Sequence, residues 1–332
     1  FPVKGALVQR AGMCYTKRSF LAPRGHGREG RTLDLRMEYR CTAADEGEEV
    51  LTLLRREMGV STSLLRRLKV TEDGILLDGE RVTVRRRVAP GQLLSIRREP
   101  DSGREKRVPA QAGPLDIVYE DGDLILLNKP AGLPVHPSPG HFDGDTVGNR
   151  VVFYLAQSQR EPTFRAINRL DRGTSGLMTA AKNQLAAQRL EAALSRGELS
   201  RRYHAVVEGT GLPDSGTVDL PIGRREGWGI ARCVREDGQR AVTHFRLLAE
   251  NNGRSLLELA LDTGRTHQIR VHLSHLGHPV CGDFMYGTEI PGMEGFALCS
   301  VRAEVPQPTT GERLCFSIPD PAVFAELMEG KR

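Results

Sequence analysis

The chain has 332 residues, of which 39% are hydrophobic and 27% charged. No stretch approaches the roughly 18 uninterrupted apolar residues of a membrane span, which excludes a helical membrane protein and predicts a soluble one. The six cysteines form no Cys-x-x-Cys pair, so a disulfide framework and a thiolate zinc site are both disfavoured and a reducing, cytoplasmic location is predicted.

The first 36 residues dominate the formal net charge of +5, because they contain eight Lys/Arg and only two Asp/Glu. They are rich in Gly and Arg, begin at Phe1 and lack the apolar core of a signal peptide. We predict that residues 1–36 are an upstream or non-native extension and that the native protein starts at Met37. An arginine-rich organellar transit peptide is the alternative, since acidic residues are sparse.

Residues 37–98 are predicted to form a compact α/β unit. Apolar residues recur at helical spacing in 51–58 and 63–70, with arginines on the opposite face. An Asp78-Gly79 turn between 74–79 and 82–84 predicts a hairpin, and a further strand follows at 91–96. Residues 51–107 contain fourteen Lys/Arg against eight Asp/Glu, so the basic charge is local to this part of the chain.

This unit resembles the alpha-L RNA-binding module first known from a small-subunit ribosomal protein, through LLRRLKV, GILLDGERVTV and a following Gly-x-Leu-x-x-Ile strand. The resemblance implies that basic residues on the helix and hairpin contact RNA phosphates, which positions RNA without reading its sequence and weakens with salt. The candidates are Arg66, Arg67, Lys69, Arg85, Arg86 and Arg87. A solvated charged face on a small domain is the alternative.

Residues 99–113 are charged, contain Pro and Gly and show no period, so a linker is predicted there. A larger α+β domain follows over 114–332, beginning with buried strands at 116–119 and 123–127. Within it, INRLDRGTSGLMTAAKN (167–183) places Asp171 between two arginines and before Gly-Thr-Ser-Gly. The small-residue stretch after that turn is predicted to be helix-prone.

Two further segments of this domain have the composition of site loops. NKPAGLPVHPSPGH (128–141) follows a strand, and its prolines and glycines impose a fixed, irregular path. TGRTHQIRVHLSHLGHP (263–279) is followed by GDFMYG (282–287). Arg202-Tyr203 precedes Ala205-Val-Val-Glu-Gly209, and Ala241-Val-Thr243 lies between them and the last motif.

Taken in chain order, these motifs resemble those of the RluA-type pseudouridine synthases over about residues 115–319. The resemblance implies an α+β pseudouridine synthase fold with a mixed, mainly antiparallel sheet. It also implies an isomerase that converts uridine to pseudouridine in RNA without a cofactor or metal. The alpha-L module fits members that act on large-subunit ribosomal RNA better than those that act on transfer RNA alone. Asn168 departs from the family, in which His is commoner, and altered loop packing rather than lost chemistry is expected.

The resemblance assigns candidate roles residue by residue. Asp171 matches the essential aspartate, suited to covalent or acid–base work at the ribose or the base. Arg270 matches the arginine paired with it, a neighbour that favours the ionised carboxylate. Tyr203 offers a ring for stacking on the flipped uracil or a group for proton transfer.

The target base must leave the RNA stack before a side chain can reach its glycosidic bond. Arg169 matches the arginine that fills the vacated position, and Ile269 supplies an apolar wall. Thr174 is a further candidate for substrate binding. Arg265 is a weaker candidate for the ion pair and a candidate for phosphate contact.

Other functions remain as alternatives. The histidines at 267, 272, 275 and 278 invite a zinc site, but no Glu or Cys ligand has a matching spacing, and packing of the turn or bonding to carbonyls is favoured. DRGTSG is faintly similar to the aspartyl-phosphate site of ATPases, but it lacks the lysine and no Gly-Lys-Ser/Thr nucleotide loop exists. A non-catalytic ribosome-assembly factor and a transfer-RNA synthase complete the alternatives. Protein partners are unknown from the sequence.

Overall fold

The computed structural model describes residues 7–10, 13–16, 36–60, 62–97, 108–137, 144–158 and 162–332. Most of the predicted extension (1–36) and most of the predicted linker (99–113) lie outside these ranges, as does His141. The domain boundaries placed there therefore stay predictions.

The regular elements follow one another in a β-rich order. The strands are β1 (Leu7–Arg10), β2 (Met13–Thr16), β3 (Arg36–Arg40), β4 (Ile75–Leu77), β5 (Glu80–Arg81), β6 (Leu93–Arg97), β7 (Ile117–Glu120), β8 (Leu124–Lys129), β9 (Arg165–Ala166), β10 (Ser175–Ala181), β11 (Ser200–Glu208), β12 (Ser215–Asp219), β13 (Ile222–Arg224), β14 (Arg232–Val234), β15 (Val242–Asn251), β16 (Arg254–Leu261), β17 (Leu298–Pro306) and β18 (Arg313–Ser317). The helices are a 3-10 turn (Ala43–Asp45), α1 (Val50–Arg56), α2 (Thr62–Val70), α3 (Val147–Ala156), α4 (Gln184–Ser195), α5 (Gln268–His275) and α6 (Ala322–Met328).

The N-terminal unit packs α1 and α2 against an antiparallel sheet of order β3-β6-β4-β5. Both predicted helices are present, because their leucines, including Leu53 and Leu68, fill one shared apolar core. The predicted hairpin turn is also present: Asp78 and Gly79 have φ of 52° and 85°, the left-handed values that a two-residue hairpin needs. The returning strand is β5, however, so the predicted strand at 82–84 is wrong. β3 was not predicted.

The large sheet of the second unit has the order β12-β15-β16-β11-β17-β10-β8-β7, and β18 extends it from β17. The pair β10–β17 is parallel, whereas its other neighbouring strands are antiparallel. The predicted mixed, mainly antiparallel sheet is therefore confirmed. At one edge β1 pairs with β18 and with β2, so residues 7–10 and 13–16 lie on this sheet, while the predicted origin of 1–36 stays a prediction.

The stretch after the Asp171 loop is a strand, so the predicted helix-prone character of this segment is wrong. β10 pairs with β8 along six residues and with β17 on its other side. Leu177, Met178 and Ala180 are completely buried there. Burial on both faces and two sets of ladder hydrogen bonds outweigh the modest helix preference of Ala, Leu and Met. The helix begins later, at α4, with Asn183 as its N-cap.

The N-terminal unit contacts the larger unit at the start of α4. Leu185 of α4 belongs to the apolar core of the N-terminal unit. Arg67 donates a hydrogen bond to Gln184, and Arg189 Nη2 donates to the carbonyl oxygen of Glu57 at 3.0 Å. No helix in the described ranges combines the length and the apolar character required to cross a membrane.

Candidate active site

The loop between β9 and β10 presents Asp171 from a fixed backbone. The N–H of Thr174 donates to the carbonyl oxygen of Asp171 at 3.1 Å, and the N–H of Phe296 donates to that of Gly173 at 2.9 Å. Arg172 Nε donates to the carbonyl oxygen of Gly132 at 2.9 Å. The Gly-Thr-Ser-Gly segment is therefore a tied turn at the entrance to a strand, and the carboxylate of Asp171 keeps 27% of its surface exposed.

Lys129 is a buried residue that bonds to this loop, although no role was predicted for it. Its side chain is 1% exposed. Nζ donates to the carbonyl oxygens of Pro130, Leu133 and Arg172 at 2.8, 2.9 and 3.1 Å. Burial lowers the pKa of Lys129 to about 7, against a smaller opposite effect from the charge of Asp171. Three carbonyl acceptors match the three N–H donors of an ammonium group, so Lys129 joins the segment 130–133 to the residue that follows Asp171.

Asn168, the departure from the family pattern, is buried at the start of the same loop. Its Oδ1 accepts a hydrogen bond from the N–H of Thr179 on β10 at 2.8 Å. Its Nδ2 has no hydrogen-bond partner among the described residues. The side chain of Asn168 thus fixes the loop to β10 through its Oδ1 alone. The expectation that this substitution alters packing rather than chemistry stays a prediction.

Arg270 lies on α5 between two carboxylates. Its Nη1 donates to Asp171 Oδ2 at 2.9 Å, which is the ion pair that the family resemblance implied. Its Nε and Nη2 donate to the two oxygens of Asp283 at 2.6 and 2.8 Å. Arg270 is 2% exposed and Asp283 is completely buried. The two-point bond to Asp283 fixes the plane of the guanidinium, and the third donor then meets Asp171.

Two aromatic rings enclose the same guanidinium. The centre of the Arg270 guanidinium lies 4.0 Å from the ring of Phe296 and 4.9 Å from the ring of Tyr286. Burial alone lowers the pKa of Arg270, but the hydrogen bond to Asp283 and the charges of Asp171 and Asp283 outweigh it, and the net pKa is raised. The cation is therefore permanent at any pH at which the protein folds.

His267 faces Asp171 from the N-cap of α5. Its Nε2 lies 4.0 Å from Asp171 Oδ2 and its Nδ1 lies 2.7 Å from the hydroxyl of Tyr286. That hydroxyl accepts a hydrogen bond from the N–H of Arg232 at 2.8 Å, so its own proton is directed at Nδ1. Burial lowers the pKa of His267. A neutral imidazole with its proton on Nε2, toward Asp171, fits all of these contacts.

A cleft of about 380 Å³, part of it open to solvent, lies over these groups. It is lined by all seven residues predicted for catalysis and substrate binding, namely Arg169, Asp171, Thr174, Tyr203, Arg265, Ile269 and Arg270. The segments that contribute them are far apart in sequence; they meet because β10 and β11 both pair with β17, and α5 packs against β15 of the same sheet. The structure therefore brings these residues together, while their individual roles stay predictions.

Within the cleft the predicted residues differ in exposure. Tyr203 on β11 is 4% exposed and Ile269 is 5% exposed, so both present an edge or face to the cleft from within the core. Arg169 is exposed. Arg265 is also exposed, but its Nε donates to the carbonyl oxygen of Arg240 at 3.0 Å. Of the two arginines, Arg169 is thus better placed to enter a substrate.

The six predicted phosphate-binding residues of the N-terminal unit divide into two groups. Arg66, Lys69, Arg85, Arg86 and Arg87 are exposed, although Arg87 also donates to the carbonyl oxygen of Gly47 at 2.6 Å. Arg67 is half-buried and bonded to Gln184 of the larger unit. The five exposed cations, which we call the module cations, therefore remain the candidates for the predicted phosphate contacts.

Three of the four histidines considered for zinc, His267, His272 and His278, bond to other groups of the protein. His272 is completely buried, with Nδ1 at 2.9 Å from Thr243 Oγ1 and Nε2 at 3.0 Å from the carbonyl oxygen of Leu220. His278 Nδ1 lies 3.0 Å from the carbonyl oxygen of Glu208. In the part of the chain that the structure describes, no three His, Cys, Asp or Glu side chains are grouped to hold a metal.

Three structurally central residues received no role from the sequence. Lys129 lies in NKPAGLPVHPSPGH, and Asp283 and Tyr286 lie in GDFMYG. Both motifs were recognised, but the burial of their charged members depends on contacts between distant segments. For Lys129 and Asp283, the sequence signal of a buried role is a charged residue among apolar and glycine neighbours.

Comparison with known proteins supports the same family. Residues 123–275 match the family described as RNA pseudouridylate synthase. The chain is 38% identical over 275 residues to the uncharacterized RNA pseudouridine synthase YjbO of Bacillus subtilis, covering 83% of this chain and 96% of that protein. It is 38% identical over 271 residues to the ribosomal large subunit pseudouridine synthase D of Vibrio cholerae, covering 77% and 82%. The solved structure of human RNA pseudouridylate synthase domain containing 1 matches with a TM-score of 0.52 and 28% identity, covering 64% of this chain and 86% of that one.

The fold, the ordered motifs and these relatives agree. Identity of 38% across nearly the whole length of YjbO confirms the family that the motifs predicted, and the human structure confirms the fold class. The chain belongs to the RNA pseudouridylate synthase family, of RluA type, and is an isomerase that converts uridine to pseudouridine in RNA.

Proposed function

We propose that this synthase modifies uridine in large-subunit ribosomal RNA and that Asp171 is its catalytic carboxylate. The main support is the geometry of Asp171, a partly exposed carboxylate held at 2.9 Å by a buried arginine inside a cleft. The substrate class rests on the name of the Vibrio cholerae relative and on the module cations. A ribosomal RNA substrate also favours a cytoplasmic location.

The isomerisation breaks the bond between C1′ and N1 of uridine and forms one between C1′ and C5. C5 loses a proton and N1 gains one, so no electrons are exchanged with another molecule. Asp171 is positioned to act on the ribose or the base of a nucleotide in the cleft. Arg270 is anchored independently by Asp283, so the position of Asp171 does not depend on the substrate.

The remaining predicted residues fit the needs of a flipped base. The buried ring of Tyr203 provides a flat surface for the uracil, and its hydroxyl is a candidate for proton transfer. Ile269 forms an apolar wall next to it. The exposed Arg169 is free to occupy the gap that the base leaves in the RNA, which offsets part of the few kcal/mol lost by unstacking.

Mapping of modified uridines tests the proposal directly. Ribosomal and transfer RNA from a strain lacking the protein are incubated with the wild-type chain or with Asp171→Ala. Pseudouridine is then located by carbodiimide-dependent reverse-transcription stops. We expect new stops in large-subunit ribosomal RNA with the wild-type chain and none with the variant. Stops in transfer RNA alone would refute the substrate class, and equal stops with the wild-type chain and with Asp171→Ala would refute the catalytic role of Asp171.

The N-terminal unit is proposed to be an alpha-L module that binds phosphates through the module cations. Replacement of Arg66, Lys69, Arg85, Arg86 and Arg87 by Gln removes their charge and leaves the contact with α4 intact. Each lost phosphate contact is expected to reduce the slope of log affinity against log salt by roughly 0.7 to 0.9. Titration of labelled ribosomal RNA at several salt concentrations measures the slope.

A matched variant separates local contacts from total charge. Replacement by Gln of five exposed cations of the larger unit removes the same number of charges elsewhere; these are Arg196, Arg246, Arg302, Arg313 and Lys331. We expect this control to leave the salt slope within about one contact of the wild type. Equal slopes for the wild type and the module variant would show that the module cations do not bind phosphate.

A further inference from the structure

The β13–β14 hairpin ends in an exposed aromatic residue that the cleft does not use. Trp228 is the single tryptophan of the chain, and 59% of its surface is exposed. Ile230, two residues later, is 64% exposed. Exposure of large apolar side chains to water costs free energy, so two of them at one loop tip indicate a binding surface.

The tip has a defined backbone rather than a loose one. Trp228 N–H donates to the carbonyl oxygen of Arg225 at 3.3 Å, and Ala231 N–H donates to that of Trp228 at 3.0 Å. Gly227 and Gly229 on either side have φ of 74° and 57°, values that favour glycine. The chain therefore reverses sharply around Trp228, and the indole is held outward.

A cation covers one face of the indole. The guanidinium of Arg225 lies 4.1 Å from the centre of the Trp228 ring, a cation–π distance. With 59% of Trp228 exposed, the residue keeps accessible surface for a flat ligand beside this cation. The pair thus combines a stacking surface with a positive charge, which suits a nucleobase attached to a phosphate backbone.

The base of the hairpin is joined to the active site. Arg232 at the start of β14 donates its N–H to Tyr286, whose hydroxyl contacts His267 beside Asp171. Arg232 is four positions after Trp228, a span of at most about 14 Å for an extended chain. An RNA strand whose target base occupies the cleft therefore has neighbouring nucleotides within reach of the tip.

We propose that Trp228, together with Arg225, stacks on an unpaired base of the substrate RNA close to the target uridine. The inference rests on the proposed active-site cleft, and it adds a contact that positions RNA outside that cleft. Arg224, Arg225 and Arg232 outnumber the one carboxylate of the hairpin, Glu226, so its net charge is positive and complementary to RNA. A base is flat and anionic at its backbone, whereas an uncharged apolar partner would leave these arginines unmatched.

Intrinsic fluorescence provides a direct test, because the chain has one tryptophan. The wild-type chain is titrated with single-stranded oligoadenylate and with a fully paired adenylate–uridylate duplex of equal length. We expect strong quenching by the single strand and much weaker quenching by the duplex, whose bases are already stacked. Equal quenching by both probes, or none by the single strand, would overturn the proposal. Emission that depends on protein concentration without RNA would also overturn it, since it indicates self-association.

Variants then assign the contact to the ring. Affinity for labelled oligoadenylate is expected to fall at least about fivefold in Trp228→Ala and to remain near wild type in Trp228→Phe, because stacking on one base contributes about 1–3 kcal/mol. Phe153→Ala is the control: Phe153 is 40% exposed, and its neighbour Tyr154 bonds to Glu120 of β7 at the opposite edge of the sheet. Equal affinities of the wild type and Trp228→Ala would overturn the proposal.

A kinetic measurement tests whether Trp228 contacts the same RNA whose target uridine occupies the cleft. On RNA that the wild-type chain modifies, Trp228→Ala is expected to raise KM at least about fivefold with kcat within about twofold of wild type. An unchanged KM would show that the tip does not bind near the target. The oligoadenylate experiment needs no modified site, so a failure of the proposed catalytic function and a failure of the Trp228 contact give different results.

Discussion

Asp171→Asn is expected to lower kcat/KM for uridine isomerisation by at least about a thousandfold, as when a catalytic nucleophile is removed from other enzymes. The amide has nearly the same shape, and its oxygen can still accept the hydrogen bond that Arg270 now donates at 2.9 Å. It lacks the negative charge and the nucleophilic or basic oxygen that the reaction needs. Single-turnover conversion of unmodified ribosomal RNA, followed by carbodiimide mapping, measures the loss.

Two observations separate lost chemistry from lost structure in this variant. RNA affinity should stay within about threefold of wild type, because Arg270 retains both bonds to Asp283. Asp214→Asn is the matched control, since Asp214 is exposed near the far edge of the sheet, and it should retain full activity. Residual activity of Asp171→Asn above about a tenth of wild type would contradict a catalytic role for the carboxylate.

Local sequence patterns predicted local elements well where a single physical effect dominated. The Asp-Gly pair at 78–79 produced the expected hairpin, because few other residues accept its backbone geometry. The run at 123–127 became β8, whose core position needs continuous apolar residues. The stretch that forms β10 was wrongly predicted to be helix-prone. Its small residues have no strong conformational preference of their own, and pairing with the neighbouring strands β8 and β17 decides its conformation.

The site was predictable only in part for a similar reason. Motif resemblance supplied Asp171, Tyr203 and Arg270, and the structure places all three in one cleft. The buried groups that hold them, Lys129 and Asp283, could not be ranked above other charged residues of the sequence. Their importance follows from burial and from bonds across 43 and 13 residues of chain.

The arrangement around Arg270 explains why one guanidinium needs two carboxylates. The buried Asp283 neutralises the cation and fixes its plane, while Asp171 adds a second negative charge on the cleft side. The three groups together have a net negative charge, located on the carboxylate that keeps 27% of its surface exposed. Asp171 can therefore change its bonding during the reaction without leaving Arg270 unpaired in the core.

Asp283→Asn is accordingly expected to be more harmful to the fold than Asp171→Asn. Asp283 is completely buried and accepts two bonds from Arg270. Removal of this carboxylate leaves the buried Arg270 with only the partly exposed Asp171 as its ion partner, and breaking a buried ion pair typically costs about 3–5 kcal/mol. Chemical denaturation should show a loss of this size in the free energy of unfolding. Activity should fall as well, because the guanidinium loses the bonds that direct it at Asp171.

Two comparisons test whether burial of the pair is the cause. Asp73→Asn removes a half-exposed carboxylate that pairs with Arg97 at 2.7 Å and with Arg36 at 3.4 Å, and it should cost less than about 1 kcal/mol, as surface ion pairs do. In the double variant Asp283→Asn with Arg270→Met, no cation remains to be buried unpaired, so the total loss should be smaller than the sum of the two single losses. Additive losses would show that the two residues stabilise the fold independently, and would remove Asp283 as the anchor of the catalytic ion pair.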